Sequence, residues 1–149
     1  MIEIPSNRFD SITEIIISCA YKVLNTLGTG FLEKVYENAM ILELNKNGLF
    51  AEAQKPLKIF YNGLNIGEYM ADIVVENLVI IELKVAKCID RSHIAQTINY
   101  LKASSLHFGL ILNFKNTPLE IKRVILWITT EFHRLTGIAK VEYKKETNF

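Results

Sequence analysis

Long apolar runs, paired cysteines and clustered histidines are all missing from this chain of 149 residues. No stretch of the eighteen or so apolar residues that a membrane span needs is present, so no membrane partner is expected. The opening MIEIPSNRFD has neither the basic start nor the apolar stretch of a secretory signal. The two cysteines, Cys19 and Cys88, fall in an amphipathic helical pattern and near a strand end. Neither belongs to a CxxC or Cys/His cluster, which argues against zinc and iron–sulfur sites and for a reduced, cytoplasmic setting. His93, His107 and His133 have no spacing that suggests a base or a ligand set. Repeats, low-complexity tracts and linkers are absent too, so a single domain over 1–149 is expected, with a core of about 10–125 and a C-terminal extension of about 126–149. Half of the residues are apolar and 22% are charged, as in an ordinary soluble globular protein.

Net charge is only +1, but it is unevenly spread. Residues 1–83 carry six Lys/Arg against eleven Asp/Glu, and residues 84–149 carry eleven against five. An acidic half beside a basic half suits a metal site next to a phosphate-binding surface. Halves that interleave in space and average out fit the same numbers.

SITEIIISCAYKVLNTLG (11–28) has the helical period, a Ser11/Glu14 capping-box pattern and Gly28 as its stop. A second helix follows GTG through FLEKVYENAMILELNKN. LFAEAQ and PLKIFY then read as strands, NGLN as a turn, and GEYMADIVV and LVIIELKV as two further strands. Asp90 is placed to cap a helix through RSHIAQTINYLKAS. HFGLILNF is an unbroken apolar strand, of the kind covered on both faces of a sheet. KNTP reads as a turn, LEIKRVILWI as a strand, TEFHRL as helical and IAKVEY as a strand. Together these predict an α/β sandwich around a mixed β-sheet.

ADIVVENLVIIELKV (71–85) poses the chemical question. Its β-branched runs belong in a dry interior, yet Asp72, Glu82 and Lys84 sit among them. Glu82 and Lys84 are two apart and share a face, roughly 7 Å apart. Asp72 joins them only if Val75 faces Val79, leaving Glu76-Asn77-Leu78 as an odd-length loop, and that register is expected. Two opposed carboxylates repel unless a cation lies between them, and Mg²⁺ or Mn²⁺ fits oxygen ligands of this kind. Lys84 would then hold the attacking water or neutralise charge on phosphorus. An Asp–Lys–Glu salt-bridge cluster without chemistry is the competing reading. Glu33 and Glu37, and likewise Gln96 and Tyr100, are four apart on their helices, a spacing also common on solvated helix edges.

Five short motifs carry a family resemblance: Gly30-x-x-Glu33-x-x-Tyr36, Tyr69-Met-Ala-Asp72, Ile81-Glu82-Leu-Lys84, Gln96-x-x-x-Tyr100 and Leu112-Asn113-Phe114. In this order and spacing, over residues 10–125, the chain resembles the GxxExxY proteins, a compact branch of the PD-(D/E)XK nuclease superfamily. The resemblance implies a restriction-endonuclease-like core in αβββαβ order, its mixed sheet flanked by helices on both faces. It implies Asp72, Glu82 and Glu33 as ligands of Mg²⁺ or Mn²⁺, Lys84 as the catalytic lysine, and Gln96 and Tyr100 as supports of the site. Ala71 replaces the pattern's proline, and Met70 stands where many relatives have a basic residue.

The expected function is therefore a divalent-metal-dependent nuclease acting on DNA, with Tyr36, Tyr100, Lys87 and Arg91 binding substrate or supporting the site. A catalytically inactive module that binds nucleic acid or a partner protein is the alternative. Lys87, Arg91, Lys102, Lys115, Lys122 and Arg123 are the candidates for a basic surface. A homodimer would supply two sites for cutting both strands, and Trp127, Phe132, Tyr143 and Phe149 would serve either such an interface or the core.

Overall fold

The structure is a computed structural model, and it describes residues 6–127 and 140–146. Helix α1 (Ser6–Leu27) and helix α2 (Glu33–Lys46) precede strands β1 (Ala51–Tyr61), β2 (Leu64–Val75) and β3 (Val79–Lys84). Helix α3 (Arg91–Ser104) then leads to β4 (Phe108–Asn113), β5 (Glu120–Trp127) and β6 (Lys140–Glu146). The strands form one sheet in sequence order, antiparallel throughout except for the β3–β4 pair that α3 crosses over. A parallel pair needs such a crossover, and this one makes the sheet mixed.

Helices cover both faces. Ile12, Ile16, Ala20, Val23 and Leu24 of α1 and Tyr36, Met40 and Leu44 of α2 pack on Ile73, Val75, Ile81, Leu83, Leu110 and Leu112. Ile94 and Leu101 of α3 pack on Val74, Ile80, Ile111 and Val124 from the other side. Strand β4 is buried at all six positions, as its unbroken apolar run requires. Each fully buried Leu or Ile contributes about 1.5–3 kcal/mol of transfer free energy, and this packing holds the helices.

Several expectations change. The first helix starts at Ser6, so Ser11 lies inside it and is not its cap. The cause is Phe9, buried and stacked on Phe108 at 3.7 Å between centroids, which carries the helix further along β4. LFAEAQ and PLKIFY are one strand, not two, irregular at Gln54 (φ 52°). Residues 140–146 form β6, which pairs along β5. The helix read for TEFHRL, with Phe132, His133 and Phe149, lies outside the described residues. Trp127 and Tyr143 fall on β5 and β6.

At Gly109 α3 lies close against the sheet: a Cβ there would stand 2.7 Å from Thr97 Cγ2. Gly109→Ala is expected to push α3 outward and cost about 1–3 kcal/mol, read as a lower melting temperature. An unchanged melt would mean that the helix can shift freely.

Candidate active site

The charged hairpin is forked. Strands β2 and β3 pair only at Ile73↔Ile81, Val74↔Ile80 and Val75↔Val79. Glu76 and Asn77 both have positive φ (53° and 49°), and Leu78 N–H donates to Val75 C=O, so the turn holds three residues. That odd count puts Asp72 opposite Glu82, one step past the last pair. From there β2 stays with β1, while β3 follows β4 to Lys84↔Asn113.

Where strands part, backbone N–H groups lose their ladder partners and must find others. The two carboxylates provide them. Glu82 Oε1 accepts from Asp72 N–H at 3.2 Å, and Asp72 Oδ2 accepts from Leu83 N–H at 2.9 Å. The acids are thus anchored by backbone at the tip of the fork.

Glu82 is 2% exposed. Burial first, and the Asp72 carboxylate second, push its pKa up to about 9; the Asp72 N–H and the Lys84 charge pull downward and are outweighed. Lys84 Nζ donates instead to Gln96 Oε1 at 2.9 Å, and Gln96 Nε2 donates to the Tyr100 hydroxyl at 2.9 Å. Among the described residues no ion pair joins Lys84 to either carboxylate. The salt-bridge cluster of the competing reading is therefore not what the fold builds. Burial, and then the Glu82 charge, raise the pKa of Tyr100, whose ring meets that of Tyr69 at 5.3 Å.

Helix α3 presents Gln96 from a well-defined start. Asp90 accepts from Ser92 N–H (2.9 Å) and His93 N–H (3.1 Å), and His93 Nδ1 accepts from Asp90 N–H (3.1 Å). This reciprocal cap fixes the first turn, and Gln96 follows one turn later.

The two acids of α2 part company. Glu33 is exposed, and its Oε1 accepts from Val85 N–H at 3.3 Å, one residue beyond Lys84. Glu37 is buried and held by Lys34 Nζ and Gln54 Nε2, each at 2.9 Å. Among the described residues no three Asp, Glu, His or Cys side chains converge as a metal set, and the partner of Glu33 is the Val85 peptide next to Lys84.

Tyr36 has no exposed surface. Its hydroxyl donates to Gly28 C=O (2.7 Å) and its ring stacks on Phe114 (4.6 Å), so it supports the glycine turn that opens α2. Lys87 and Arg91 are exposed on the loop after Lys84 and at the first residue of α3. Lys102 and Lys115 are exposed, but Lys122 and Arg123 are successive strand residues and project to opposite faces. The six basic residues do not form one surface.

No motif or spacing points to Gln54. Ala53 pairs with Ile73 and Lys55 with Ala71, leaving Gln54 abreast of Asp72 in left-handed backbone, its amide turned to Glu37. Asn113 stands in the Leu112-Asn113-Phe114 motif but has no role assigned there, and Glu120 is not singled out. An Asn inside the apolar run FGLILNF was a readable signal, because a buried amide demands partners.

No curated protein and no solved structure matches the chain. The family model of the PD-(D/E)XK nuclease superfamily matches residues 10–124, from α1 into β5. That match takes in the forked hairpin, the crossover helix and every side chain of the site, and on this evidence the chain belongs to the PD-(D/E)XK nuclease superfamily.

Proposed function

We propose that the protein is a divalent-metal-dependent nuclease that hydrolyses phosphodiester bonds in DNA. Superfamily membership supports a nuclease-type function and a nucleic-acid partner. The observation that carries the finer reading is Glu82: a carboxyl almost without solvent, opposite a second carboxylate, with Lys84 bonded elsewhere. Such a pair lowers its free energy by taking up a cation.

Asp72 and Glu82 would hold Mg²⁺ or Mn²⁺, an ion that takes one or two carboxylates and completes its shell with water and phosphate oxygens. When bound, it would supply Lewis-acid stabilisation of the charge on the phosphoryl oxygens. Lys84 has three donors, and Gln96 occupies one. The others are free to orient the attacking water and to neutralise charge as the water–phosphorus bond forms and the bond to the leaving 3′-oxygen breaks. Gln96, fixed from behind by Tyr100, limits the directions the ammonium can take. Glu33 assists through water or by holding the Val85 peptide. The match of Gly30, Glu33 and Tyr36 to the GxxExxY signature is in keeping with this reading.

The test is incubation with supercoiled plasmid, linear duplex and single-stranded DNA, and with RNA, in Mg²⁺, Mn²⁺ or EDTA. Cleavage of DNA with either ion and none in EDTA is expected. No cleavage, together with no heat of Mn²⁺ binding by calorimetry, would sink the proposal and leave a binding module.

A further inference from the structure

We propose that Asn113, backed by Glu120, is a positioning residue that sets where Lys84 meets Gln96 by gripping the loop between them. The catalytic consequence rests on the nuclease reading above; the placement itself does not.

The chain leaves β3 at Lys84 and enters α3 at Arg91. Backbone pairing with β4 ends at Lys84↔Asn113, with Phe114 N–H donating to Lys84 C=O at 2.9 Å. Beyond that point side chains from three other elements take over the loop's N–H groups. Glu33 Oε1 accepts from Val85 (3.3 Å), Asn113 Oδ1 from Ala86 (3.1 Å) and Glu120 Oε1 from Ile89 (2.8 Å). Asn113 Nδ2 also donates to Ala86 C=O (2.8 Å) and to Glu120 Oε1 (3.0 Å).

Asn113 therefore holds both backbone groups of Ala86, as a neighbouring strand residue would, and extends the reach of β4 past its own backbone. A side-chain amide carries its donor and its acceptor on two adjacent atoms, as a peptide group does, and so can meet both. The residue is 3% exposed, and its Oδ1 accepts a second bond from Lys115 N–H (3.2 Å). All four of its bonds are spent inside the protein, so it acts on substrate only through the loop. Lys84 and α3 lie at the two ends of that loop, and the 2.9 Å Lys84–Gln96 contact depends on its shape. A cleft of about 220 Å³, bordered by Lys87, Cys88, Asn116 and Pro118, runs alongside Asn113 and Glu120 and gives the loop room to move once released.

The experiment compares wild type with Asn113→Ala, Asn113→Asp and the double variant Asn113→Asp/Glu120→Gln. Turnover, Mn²⁺ affinity by calorimetry and NMR of the Ala86, Ile89 and Gln96 amides are read on each. Asn113→Ala is expected to lower turnover about 100-fold, the effect of displacing a catalytic group by about an ångström. Its Mn²⁺ Kd should stay within about twofold, because Asp72 and Glu82 are anchored by the N–H groups of Leu83 and Asp72 and not by this loop. Asn113→Asp should behave alike, and adding Glu120→Gln should recover about tenfold by restoring a donor between the two positions. Unchanged turnover, or turnover and Mn²⁺ affinity falling in step, overturns the proposal; absence of recovery in the double variant removes Glu120 from it. Should wild type neither cut nor bind Mn²⁺, it is the nuclease reading that has failed. The placement is then decided by NMR: lost amide protection at Ala86 and Ile89 with a shifted Gln96 side-chain resonance in Asn113→Ala upholds it, and unmoved signals overturn it.

Discussion

Lys84→Ala should lower metal-dependent cleavage by about 100- to 1,000-fold while leaving the melting temperature within a few degrees of wild type. The rate effect is the usual size for removing one donor aimed at developing charge. The small stability effect follows from the bonding: Lys84 donates to Gln96 and forms no ion pair with Asp72 or Glu82 among the described residues. A lysine that served as the partner of a buried carboxylate would behave oppositely, since breaking such a pair costs about 3–5 kcal/mol. Parallel cleavage assays and thermal melts separate the two. A large loss of stability with cleavage intact would return the hairpin charges to a structural role. Lys84→Arg should not restore activity, because a planar guanidinium does not replace a compact ammonium at the end of a strand.

Glu82→Gln should raise the melting temperature of the protein in EDTA, most of all at alkaline pH, while abolishing cleavage. The Glu82 carboxyl has its pKa pushed up to about 9 by burial and by Asp72, so the folded, metal-free protein keeps a proton that the unfolded chain releases at ordinary carboxylate pH. Where the folded state binds more protons, stability falls as pH rises. The loss begins near the ordinary carboxylate pKa and continues to about pH 9, above which it levels off. An amide at position 82 carries no charge and removes this slope. At pH 9 the gain is on the order of a few kcal/mol, about 5–10 °C for a chain of this size. Added Mn²⁺ should stabilise wild type and not the variant. Equal pH slopes for the two proteins in EDTA would show that Glu82 is not the titrating group.

Local pattern carried much of the fold. Asp90 before a helical period, the unbroken apolar run of β4 and the odd loop at Glu76-Asn77-Leu78 are all statements about neighbours along the chain, and each appears in the structure as read. The register alone brings Asp72 opposite Glu82, because side chains alternate along a strand. Errors fell where a distant residue overrides local preference. Phe108 draws α1 past Ser11 through its stack with Phe9. Gln54 breaks the β1 pattern to reach Glu37, 17 residues earlier.

By itself, then, the sequence determined that two carboxylates and a lysine share the face of one hairpin, and that a capped helix carrying Gln96 and Tyr100 follows it. Only the tertiary structure decided what each charge touches. Lys84 turns to Gln96, Glu33 reaches the Val85 peptide 52 residues away, and Asn113 grips Ala86 in place of a strand. These choices depend on which backbone groups are left without ladder partners where β3 ends, and that is known only once the whole sheet has been assembled.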